Sequence, residues 1–125
     1  MFREPSLFAV AIKPYACCRY LHHVIDACRI LHADNSFGPS DIERVNMSIL
    51  PSGGPVIAEP VDRKRRPKNR VDAQFSVYFG AAFTIVYGTP EIDAFDGSYF
   101  HDLAVQRVSD CIELFHEEEL DARYP

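Results

Sequence analysis

VDAQFSVYFGAAFTIVY, residues 71–87, is the stretch on which the fold turns. It is apolar nearly all round and is closed by Gly88, Thr89 and Pro90. A strand of that length would exceed the usual ~3–10 residues. A helix accounts for it better, with Asn69 or Asp72 to cap its start and Gly88 with Pro90 to stop it. Gly80 and the β-branched and aromatic content lower its intrinsic helix propensity, so tertiary burial must supply the stability. A helix that is apolar all round needs neighbours on every side. The remainder of the chain should provide them.

Towards the C-terminus, Ser98 can cap a short helix whose face is Leu103, Ala104, Val108 and Cys111, after which CIELF can run extended. The acidic EEELDARYP tail reads as exposed. Towards the N-terminus, PVIAEPV is expected as a short strand with prolines at its ends. In IERVNMSI, Val45, Met47 and Ile49 alternate with Asn46 and Ser48, the period of a half-buried strand. SFGPSD is a loop. Leu21, Val24, Ile25, Cys28 and Leu31 define one face of an amphipathic helix that should end near Asp34 and Asn35. LFAVAI, residues 7–12, is short enough to be a buried strand before a Lys-Pro turn. The order of elements gives an α+β fold, a small sheet covered by helices.

With 125 residues, 47% hydrophobic and 25% charged, the chain suits one soluble globular domain over residues 1–125. No apolar run approaches the ~20 residues of a membrane span, and the first residues lack the flanks of a signal peptide, so a cytoplasmic location without membrane contact is the default. Cys17, Cys18, Cys28 and Cys111 have no zinc-site spacing and are read as reduced thiols. Six of the 13 Lys and Arg residues fall in RKRRPKNR, within a basic loop at 62–70, while the net charge is −5. The run could be a nucleic-acid patch. The acidic remainder and the lack of interleaved aromatic residues argue against that and for a solvated loop.

Chemistry concentrates in IKPYACCRYLHHVIDAC, residues 12–28. In a helix starting near Arg19, His22, Asp26 and Arg29 stand at i, i+4 and i+7. An Asp one turn below a His can orient the imidazole for proton transfer; the same pair is also an ordinary surface hydrogen bond. Lys13, at a strand end, and Arg19, near a helix start, could converge on a carboxylate or phosphate, or Lys13 could simply be solvated. A metal site would need ligands from His23, His32, His101 or His116, and no familiar set emerges. Cys18 near the helix start has no accompanying base and reads as a small thiol.

Two segments together, IKPYACCRYLHHVIDA and RPKNRVDAQFSVYFGAAFTIVYG, resemble the C-terminal portion of the MmgE/PrpD family, which includes 2-methylcitrate dehydratase, cis-aconitate decarboxylase and iminodisuccinate epimerase. Lys13, Pro14, Tyr15, Cys18, Arg19, His22, Ile25, Asp26 and Ala27 match the first block; Asp72, Ala73, Gln74, Phe75, Ser76 and Gly88 match the second. The resemblance implies a lid domain that closes over a large helical domain, with the substrate in the cleft between them. It implies proton movement next to a carboxylate of a small di- or tricarboxylic acid, without metal or organic cofactor. Lys13 and Arg19 would bind carboxylates, and His22, with Lys13, would supply the lid's catalytic share.

On this resemblance the chain is part of a lyase or isomerase, expected to be inactive alone and to be completed by a helical-domain partner chain or by a homodimer. The alternative is a stand-alone remnant that binds a carboxylate metabolite or a protein. The final residues resemble the approach to a strand pair, so the domain is expected to be partial. Ala16, His23 and the very basic RKRR depart from the family pattern and leave the substrate open.

Overall fold

Ser76 divides the long apolar stretch into two helices. The structure, a computed structural model, describes residues 14–34 and 36–116. Its elements run α1 (His22–Ala33), β1 (Val45–Ile49), α2 (Gly54–Ile57), α3 (Val61–Arg65), α4 (Arg70–Gln74), α5 (Val77–Tyr87), α6 (Leu103–Asp110) and β2 (Ile112–His116), joined by loops and short 3-10 turns. The expected strand at 7–12 and the tail at 117–125 lie outside the described residues.

The break between α4 and α5 follows from side-chain chemistry. Asn69 caps α4 by accepting from the Asp72 N–H at 2.8 Å. Ser76 then turns extended, with φ −115° and ψ 114°. Its hydroxyl accepts from the Phe79 N–H at 3.0 Å and donates to the Lys64 carbonyl at 2.5 Å. A serine oxygen that caps a new helix competes with continuation of the old one. The single helix expected over 71–87 is therefore corrected to two.

As expected of the apolar stretch, α5 is the centre of the core: every residue from Val77 to Ile85 is buried, and the helix packs against both α1 and α6. Phe79 meets Phe83, Phe95 and Phe100 ring to ring, with Tyr99 against Phe83. A Cβ on Gly80 would lie 2.9 Å from Leu21 Cδ2, so a larger residue here would displace the Leu21 side chain. Gly88 ends α5 at φ 98°, a region that side chains resist. Leu21, Val24, Ile25 and Cys28 are buried as predicted, while Leu31 stands 43% exposed.

β1 and β2 pair in parallel, with Val45 opposite Ile112 and Ile49 opposite His116. Parallel neighbours need a long crossover, here the segment carrying α2 to α6. Met47, Ile49 and Ile112 face the core. This is the α+β arrangement, a small sheet covered by helices.

Three further expectations are corrected. PVIAEPV holds no strand: Pro55 sits in the first turn of α2 and Pro60 caps α3, positions that tolerate a missing N–H. The basic segment is a loop only in part: Arg63, Lys64 and Arg65 belong to α3, and residues 66–69 connect it to α4. Lys64 is 8% exposed, and its Nζ donates to the Phe75 carbonyl at 2.9 Å. Arg63 pairs with Asp72 at 3.0 Å and Arg66 with Asp110 at 2.7 Å. Arg65 donates to the Ser109 and Ile112 carbonyls and lies over the Tyr78 ring. Finally, Asp102 rather than Ser98 caps the last helix, accepting from the Val105 N–H at 3.0 Å. The later start turns Leu103 outward and Val105 and Val108 inward.

Candidate functional site

The two chemically richest segments of the sequence meet at one turn. A glutamine on α4 can bond with both its backbone carbonyl and its side-chain amide. Gln74 uses both: its carbonyl accepts from the Cys18 N–H at 2.8 Å, and its Nε2 donates to the Ala16 carbonyl at 3.0 Å. These bonds fix residues 16–18 against the end of α4. Below the turn a cleft of about 270 Å³ is lined by Ala16, Cys17, Cys18, Gln74 and Phe75.

A 3-10 turn, Arg19–Leu21, leads directly from this clamp into α1. Arg19 is exposed, and His22, one turn further on, is half-buried. The His22 Nε2 lies 3.3 Å from the Cys17 carbonyl. Its imidazole stands edge to face with the Tyr15 ring, 5.2 Å between centroids and 88° between planes. Arg19 and His22 thus leave adjacent turns of one short segment. Lys13 lies outside the described residues.

Asp26, one turn after His22, belongs to a network with Tyr15 and Arg29. The Asp26 carboxylate accepts from the Tyr15 hydroxyl, and that oxygen in turn accepts from Arg29 Nη1 at 3.0 Å. Arg29 and Asp26 approach to 4.0 Å. Burial first, and then the bond to Asp26, raise the Tyr15 pKa above its ordinary value. Tyr15 therefore remains a neutral phenol, wedged between α1 and the turn. Sequence reasoning placed Tyr15 in a motif without giving it a task; its i+11 partner is invisible to helical periodicity.

The electrostatics beside the cleft come from Lys64. Burial lowers its pKa, with the neighbouring Asp72 acting in the opposite sense. Asp72 also receives Arg63 and the Asn69 amide, so the second motif block serves as an internal brace. A larger groove of about 480 Å³, lined by residues that include Leu31, Phe37, Val45 and Ile85, contains neither Arg19 nor His22. Among the described residues no group of three or more His, Cys, Asp or Glu is placed to hold a metal ion, and no helix is long and apolar enough to cross a membrane.

The family model described as the MmgE/PrpD C-terminal domain matches residues 15–125. A search of curated proteins finds no match.

Proposed function

The chain belongs to the MmgE/PrpD C-terminal domain family, and from that premise we propose that it is the lid part of a lyase or isomerase acting on small di- or tricarboxylic acids. Removing or returning a proton beside a carboxylate needs a base or acid and cations that hold the substrate and its developing negative charge. Arg19 offers a planar fork suited to a carboxylate. Lys13 would add a point charge for a second carboxylate, and His22 donates or exchanges a proton. The observation that carries this reading is the double bond set from Gln74 to residues 16–18, which joins both motif blocks at the turn bearing Arg19 and His22. The basic segment lends little to a nucleic-acid role, since Arg63, Lys64, Arg65 and Arg66 all bond within the domain.

A lid supplies one wall of a cleft. The facing wall would come from a helical domain, on the same or a second polypeptide, in the cytoplasm. Steady-state assays of these 125 residues alone with 2-methylcitrate or cis-aconitate should give no turnover, because removing pre-positioned groups costs many powers of ten in rate. Steady turnover that survives rigorous purification would contradict the proposal.

A further inference from the structure

We infer that Tyr15 is the positioning residue of this site, holding His22 through a phenol anchored by Asp26 and Arg29; the inference rests on the carboxylate-lid reading. The half-buried imidazole of His22, the first residue of α1, approaches the Cys17 carbonyl through Nε2 at 3.3 Å. That contact is at the long end of hydrogen bonding and fixes the ring poorly by itself. The Tyr15 ring supplies the second wall, perpendicular to the imidazole. An aromatic wall orients its neighbour only if it is itself held. Tyr15 is 4% exposed, and its hydroxyl is gripped on both sides, donating to Asp26 Oδ1 and accepting from Arg29 Nη1.

Both grips come from α1, the helix that His22 begins. Asp26 lies one turn after His22, and Arg29 nearly one further turn along. The helix thus holds the tyrosine, and the tyrosine holds the first side chain of the helix. Asp26 acts on His22 through Tyr15. Because the turn is also clamped by Gln74, displacement of the phenol would loosen His22 while the backbone at 16–18 stays fixed.

The test is NMR of the full chain, reading the His22 ring signals, its side-chain torsion and its contacts with the ring at position 15, with tricarballylate as the carboxylate probe. Tyr15→Phe keeps the ring and removes both grips. The expected result is a folded protein in which the His22 signals move towards motional averages and tricarballylate binds roughly two- to tenfold more weakly, the cost of re-ordering one side chain. Asp26→Ala, on an exposed helix face, should do the same and serves if Tyr15→Phe does not fold. Unchanged His22 order and unchanged binding in a folded variant would overturn the inference. If the unaltered chain ignores tricarballylate while Tyr15→Phe still loosens His22, the carboxylate reading fails and the positioning stands.

Discussion

Tyr87 shows how one hydroxyl ties a side chain to pH. Its phenol donates to Asp102, the cap of α6, and this bond foremost pushes its pKa up to about 12. In the unfolded chain the same group ionises near its ordinary value of 10.0. The folded state therefore keeps a proton that the unfolded state has lost, so the stabilisation is complete below pH 10 and fades as pH rises to about 12. Tyr15 and Tyr78 are shifted in the same direction, chiefly by burial. Urea melts between pH 9 and about 12 should show stability falling with pH, and Tyr87→Phe should flatten part of that slope. An identical slope in the variant would mean that the Asp102 bond does not persist in solution.

At the scale of elements, the serine between α4 and α5 decides the architecture. Ser76 is fully buried and satisfies two backbone groups, the Phe79 N–H and the Lys64 carbonyl. Ser76→Ala removes a helix cap and leaves a carbonyl beside the core without its donor, so unfolding free energy should drop by about 2 to 4 kcal/mol. A urea midpoint within error of the unaltered chain would show that α4 and α5 do not depend on this hydroxyl. The core helix was legible because nine consecutive residues from Val77 to Ile85 are buried on every face, and such a run leaves a helix little room for polar residues. Its break was hidden, since Ser76 bonds to Lys64, 12 positions away, and no local pattern records that partner. β1 was readable from the alternation of Val45, Met47 and Ile49, whereas CIELF was expected only to run extended; their parallel pairing fits the long crossover. Pro55 and Pro60 misled because proline marks both strand ends and helix starts; here it starts helices. In the site, Arg19 and His22 stood out by residue type. The roles of Tyr15 and Gln74 depend on contacts across 11 and 58 positions, beyond any spacing argument.

Over the whole molecule, the described cations differ in what they bond to. The cations that look most available in the sequence, Arg63 to Arg66, are consumed in bracing α3 against α4, α6 and β2. Arg19 remains exposed at the turn where the two motif blocks meet. The net charge of −5 acts against a tri-anion, and one wall of a cleft offers few contacts, so binding to this chain should be weak, about millimolar. The most direct measurement is an NMR titration of the isotopically labelled chain with tricarballylate at low salt. Shift changes should cluster on residues 13–22 and be weakened by Arg19→Ala and by Lys13→Ala. Changes centred on residues 63–70, or none at Arg19 and His22 while shifts appear elsewhere, would contradict the carboxylate-lid reading.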